Sequence, residues 1–188
     1  MLKYLFIFSA FPLIVLASSM PVGKCKYPLP SNPGLDISQI EGETLKYIYT
    51  PTSMVYKALD SISMVIRKSK KQKKVYAETI RAKSVFGTPT TMNFLVKDLG
   101  NGVLKKIVKK GEMSYIASIV AIKGDTGLLY VCSDTGVTGE DTLYVIARKS
   151  VDPHTVKPPT KLFSAAIEKF NFNAEFRKLP ERLSIKTL

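Results

Sequence analysis

From residue 44 to residue 148 the chain is a series of short runs in which apolar and polar side chains alternate. A period of two marks a strand with one buried face. Ser61–Ser69 reads SISMVIRKS and puts Ile62, Met64 and Ile66 on one face. Val75–Phe86 reads VYAETIRAKSVF and aligns Tyr76 with Ile80, with Glu78 between them on the same face. A carboxylate turned inward there needs a partner, and the nearby cations Arg81 and Lys83 fall on the opposite face. Thr90–Val96 (TTMNFLV) aligns Met92 with Phe94, and Thr142–Arg148 (TLYVIAR) aligns Tyr144 with Ile146. Met113–Ile122 and Gly127–Asp134 are apolar on both faces, so alternation does not decide whether Tyr115 and Tyr130 point inward. Thr44–Thr50 (TLKYIYT) and Val103–Lys110 (VLKKIVKK) complete eight candidate strands.

The connections are short and carry turn residues, as in the stretches Gly87–Pro89 and Asp98–Gly102. Consecutive strands with short links favour an antiparallel meander, because parallel neighbours need long crossovers. The spacing suits a sandwich or a barrel. Residues 20–41 are rich in Pro and Gly and read as an irregular arm. A helix is predicted over 159–170, opened by Pro158 and Pro159, with Leu162, Phe163, Ala166, Ile167 and Phe170 as its apolar stripe. A short tail, AEFRKLP, follows at Ala174–Pro180.

Residues 1–19 (MLKYLFIFSAFPLIVLASS) hold one positive charge, an apolar run and small residues, the chemistry of a secretory signal peptide. A membrane anchor is the alternative, but the apolar run is short for a span of roughly 20 residues and no second stretch could cross a bilayer, so residues 20–188 are expected to form one exported domain. Outside the cell two cysteines favour a bridge, and Cys25 with Cys132 is the one pairing available; two buried free thiols are the alternative. Such a bridge closes a loop of roughly a hundred residues, worth about 4–5 kcal/mol by chain entropy.

The formal net charge of +13 draws the chain toward anionic surfaces without defining a fold. Its basic residues concentrate at Arg67, Lys68, Lys70, Lys71, Lys73 and Lys74, and at Lys105, Lys106, Lys109 and Lys110. These read either as solvated hairpins with lysine-protected edges or as a patch for sulfated glycans and anionic lipid. Specific nucleic-acid recognition is not expected, since no aromatic residue interrupts the Arg67–Lys74 run. Catalysis finds little footing: the lone His154 follows Asp152 and Pro153 in a loop, with no nucleophile–base pair in view. Two distant cysteines and one histidine make no metal-ligand set, and no cofactor is expected.

Three stretches resemble the lipocalin family. GETLKYIYTP (Gly42–Pro51) matches the spacing of its opening Gly and Pro, although Thr44 stands where the family has Trp and the chain has no Trp at all. LLYVCSD (Leu128–Asp134) is similar to the family's seventh strand with its cysteine, and LYVIARKSVDP (Leu143–Pro153) to the eighth strand with its arginine. Cys25 and Cys132 also match the arm-to-seventh-strand bridge of the apolipoprotein-D-like and insect branch. The Thr-Asp-Tyr motif before the seventh strand is lost in AIKGDTG (Ala121–Gly127), which makes the resemblance that of a divergent, outlier type.

The resemblance implies an all-β, eight-stranded antiparallel up-and-down barrel with one helix packed outside. It implies a secreted carrier of a small hydrophobic molecule, such as a lipid, retinoid, tetrapyrrole or pheromone-like compound. Gly42 and Arg148 would then belong to the barrel floor, with Arg148 donating to backbone carbonyls; anchoring a ligand carboxylate is the rival role. In a small barrel alternate residues face the lumen. The expected lining is therefore Ile62, Met64, Ile66, Tyr76, Ile80, Met92, Phe94, Tyr144 and Ile146, with Tyr115 and Tyr130 added. Tyrosines among aliphatic walls suit an amphipathic ligand.

Overall fold

The computed structural model describes residue 25 and residues 35–70, 72–108, 113–134, 141–169 and 175–179. The expected signal peptide, most of the arm, Phe170 and the end of the tail lie outside them. Nine strands form one sheet: β1 (Thr44–Pro51), β2 (Leu59–Lys68), β3 (Val75–Ser84), β4 (Pro89–Gly100), β5 (Val103–Val108), β6 (Ser114–Lys123), β7 (Thr126–Ser133), β8 (Thr142–Arg148) and β9 (Phe176–Lys178). Strands β2 to β8 pair in sequence order, and β1 joins β8 back to β2, so the first eight close into an antiparallel barrel.

Closure depends on how β1 divides its edges. One edge pairs with β8, from Leu45 opposite Arg148 to Tyr49 opposite Val145. The other pairs with β2 only over Thr44–Lys46, then with β9 over Tyr49–Pro51. The stretch expected as a tail thus forms a strand that covers the edge β2 leaves, and Leu179 N–H adds a bond to Ile48 O at 2.7 Å. A second unforeseen element, helix α1 (Met54–Lys57), sits in the β1–β2 connection.

A 3₁₀ turn at Ile37–Ile40 lies before β1 and closes the end of the barrel that carries the β2–β3, β4–β5 and β6–β7 turns. The Asp36 carboxylate caps it by accepting from Ser38 N–H at 2.8 Å. Gly42 then takes φ +78°, a left-handed conformation that a side chain strains, and donates its N–H to Ile66 O at 2.8 Å. At the same end Gly102 lets Leu35 approach; a Cβ there would lie 2.8 Å from Leu35 Cδ2.

Two apolar clusters lie on opposite faces of the sheet. The inner one gathers the alternate residues of all eight barrel strands with Leu35, Ile37, Tyr56 and Leu179. The outer one packs Tyr49, Ile116, Tyr130, Val145 and their neighbours under Phe163 and Ile167. This outer cover is why β6, β7 and β8 are apolar on both faces. It is not the single helix expected over 159–170. Two short helices, α2 (Pro159–Leu162) and α3 (Ser164–Lys169), meet at Phe163, whose φ of −127° interrupts the helical path. The break turns Phe163 into the outer cluster at 5% exposure, a burial worth about 2 kcal/mol. The Cys25–Cys132 disulfide spans 107 residues with its Cα atoms 5.0 Å apart, and Cys25 packs against this outer cluster.

Candidate ligand-binding site

The barrel interior brings together most of the residues picked out by alternation. Ile62, Met64, Ile66, Tyr76, Ile80, Phe94, Tyr115, Tyr144 and Ile146 are buried in the inner cluster, and half-buried Met92 packs against it. Tyr130 is the exception. It lies in the outer cluster, where its hydroxyl donates to Asp141 Oδ2 at 2.5 Å. The reason is parity: Cys132, two residues on, turns outward to meet Cys25, and residues two apart share a face. Leu129 and Val131 face the lumen instead.

The interior also holds groups that alternation did not select. Tyr47 comes from β1, and Tyr56 reaches the inner cluster from α1. The two tyrosines flank Tyr144 edge-on, with ring centroids 5.4 Å and 5.9 Å from its own. Tyr56 and Tyr144 share a 2.5 Å hydroxyl–hydroxyl bond, and Thr142 Oγ1 donates to the Tyr144 oxygen at 3.1 Å. The Tyr47 hydroxyl reaches only a thioether, Met64 Sδ at 3.6 Å. Phe94 meets Tyr115 edge-on at 6.4 Å.

Glu78 finds its missing partner here. Its side chain is fully buried, and its Oε1 accepts from Lys106 Nζ at 2.7 Å. Lys106 therefore does not belong to a solvated patch, as the sequence suggested, but points inward at 4% exposure. Position 106 was ambiguous because both faces of β5 carry one lysine between apolar residues. The register decides: Lys106 stands opposite Val96 and Tyr115, both in the inner cluster, while Lys105 turns outward to Asp134 at 2.5 Å.

Burial pushes the Tyr47 phenol well above its ordinary range, and the nearby Glu78 and Tyr144 raise it further. Burial also raises Tyr144, against hydrogen bonds from Thr142 and Tyr56 that lower it, and raises Tyr115.

Arg148 stands at the closed end, on the rim of a cavity of about 140 Å³ that includes Leu35, Ile40, Leu45 and Ile146. Its partners are carboxylates, not the backbone carbonyls expected of it: Nε lies 3.2 Å from Glu43 Oε2 and 3.6 Å from Asp125 Oδ1. With Arg148 46% exposed, these pairs contribute about 1 kcal/mol at most. A larger groove of about 380 Å³ opens beside β1 where it leaves β2, and is lined by Tyr47, Ile62, Asp60, Arg81, Lys149 and Leu179. Among the expected basic patch, Arg67, Lys68, Lys70, Lys73 and Lys74 are exposed around the β2–β3 hairpin, while Lys71, Lys109 and Lys110 lie outside the described residues.

A closed eight-stranded meander with a 3₁₀ turn across one end, a helical cover outside and an apolar interior is the lipocalin fold, and the chain has it. Insecticyanin from the tobacco hornworm Manduca sexta matches with a TM-score of 0.59 at 14% identity, over 85% of this chain and 86% of that one. The cockroach allergen Per a 4 matches with 0.58 at 14% identity, over 84% and 96%. A biogenic amine-binding protein matches with 0.56 at 14% identity, over 78% and 81%. No protein-family model and no curated protein matches the chain.

Two outcomes follow from the interior. Lys106→Met or Glu78→Met alone leaves a buried charge unpaired and lowers unfolding free energy by about 3–5 kcal/mol, whereas the double change restores or exceeds wild-type stability. Urea denaturation of the three variants checks this, and single losses below about 1 kcal/mol would contradict it. The second concerns alkali. A phenol held above its ordinary value of about 10 contributes stability that is complete below that value and is lost as pH rises through the folded one. The inner tyrosines should thus ionise only as the barrel unfolds, and Tyr47→Phe should move alkaline unfolding to higher pH. Ultraviolet titration giving a single phase on an intact fold would argue the opposite.

Proposed function

We propose that this chain is a secreted carrier that holds a small, largely apolar molecule inside the barrel. The carrying observation is the make-up of the inner face, where aliphatic walls from every barrel strand surround the phenols of Tyr47, Tyr56, Tyr115 and Tyr144. Apolar area supplies affinity on such an inner face, and a few polar groups orient the guest. The disulfide supports an oxidising compartment, in keeping with the signal-like residues 1–19. Among the described residues no helix is long and apolar enough to cross a membrane. Proteins of the same fold include one named for binding biogenic amines and a siderocalin said to have dual ligand specificities.

A second reading rests on the exposed cations of the β2–β3 hairpin, which present Arg67, Lys68, Lys70, Lys73 and Lys74 to solvent. They suit a sulfated glycan or an anionic lipid surface, and the two readings are compatible.

One titration separates them. N-phenyl-1-naphthylamine, a fluorescent apolar reporter, should bind saturably at one site per chain and be displaced by long-chain aliphatic compounds in high salt. No saturable binding, together with salt-sensitive retention on heparin, would leave only the hairpin reading.

A further inference from the structure

The ion pair inside the barrel is half satisfied. Glu78 is fully buried, and Lys106 occupies only its Oε1; Oε2 has no hydrogen-bond partner. An ionised carboxylate can accept about four hydrogen bonds, and a buried carboxylate oxygen without a donor is a standing cost. A candidate donor is near and is turned elsewhere. Tyr47 feels the Glu78 charge, yet its hydroxyl is directed to the weak acceptor Met64 Sδ. Arg81 and Lys83, on the same strand, are exposed on the opposite face. Glu78 itself stands between Ile66 on β2 and Phe94 on β4, both members of the inner cluster, so its bare oxygen belongs to a buried carboxylate flanked by apolar residues.

We infer that the barrel takes a neutral, largely apolar molecule carrying a hydroxyl or N–H group, which donates a hydrogen bond to Glu78 Oε2. This rests on the carrier reading and adds the chemistry of the guest. Charge selects the class. Glu78 and Lys106 already cancel, so a neutral donor satisfies the oxygen without adding a buried charge. A ligand ammonium would stand as a second cation beside Lys106. A ligand carboxylate would compete with Glu78 for Lys106 and leave two anions sharing one cation in a low-dielectric interior.

The test displaces N-phenyl-1-naphthylamine with four compounds that share one dodecyl chain: the alcohol, its methyl ether, the protonated amine and the carboxylate. The alcohol should displace at a concentration lower than the ether by about tenfold or more, the yield of one hydrogen bond to a charged group. It should also outcompete the amine and the carboxylate. In the Glu78→Met/Lys106→Met double variant the reporter, whose own N–H loses the same acceptor, should bind more weakly through the apolar walls, while alcohol and ether become equal. Equal displacement by alcohol and ether on the wild-type protein overturns the inference, as does a tighter amine, a tighter carboxylate, or a preference that survives in the double variant. The wild-type comparison decides the matter even if the variant fails to fold. Failure of the reporter to bind the wild-type protein at all sinks the carrier reading itself, and this inference with it.

Discussion

The interior exists because β1 is hydrogen-bonded on both sides. Without its bonds to β8 and to β2, the sheet would be an open meander with two bare edges and a wetted inner face. The contact with β2 is short, three residue pairs from Thr44 to Lys46, and β9 takes over where it ends. That handover is braced from within. Arg177 of β9, itself buried, donates to the Tyr56 carbonyl, and the Tyr56 ring reaches back to Tyr144 on β8. The strand formed last in the chain is thus tied through α1 to the far side of the seam it protects.

Closure also gives the Glu78–Lys106 pair its meaning. In an open sheet both side chains would be hydrated and unremarkable. Inside a barrel each loses its water, and an apolar pair of similar volume would leave the fold as stable or more so. Stability alone does not account for two charges there. The proposed carrier role does, since apolar walls give affinity without direction and a fixed carboxylate oxygen gives direction. The phenols of Tyr47 and Tyr144, neutral already and moved further from ionisation by burial, fit the same interior: they offer hydroxyls without bringing in further charge.

Much of this was legible in the residues. Clean alternation in β2, β3 and β4 named the inner face of that half of the barrel, because solvent on the outer side forces polar residues there. Legibility failed where the outer face is also covered. Beneath α2 and α3 both faces of β6 and β7 are apolar, so Tyr115 and Tyr130 looked alike and went to opposite sides. The disulfide could have settled Tyr130, because a cysteine bound to the arm outside fixes the parity of its strand. Lys106 was hidden by the even make-up of β5, although the unpartnered Glu78 already asked for an inward cation. The broken helix and β9 were beyond reach for another reason. Each is decided by tertiary contact, the burial of Phe163 and the free edge of β1, over stretches too short for periodicity to speak.

The central claim is that a guest sits inside the barrel and not on its surface. The chain contains no tryptophan, so a single indole reports its own surroundings. Phe94 and Leu95 are neighbours on β4 with opposite orientations, at 5% and 44% exposure. In Phe94→Trp, saturating dodecanol should shift the emission and shield the indole from a soluble quencher, while in Leu95→Trp neither should change. A response from the outer position alone, or silence from both, would contradict the account.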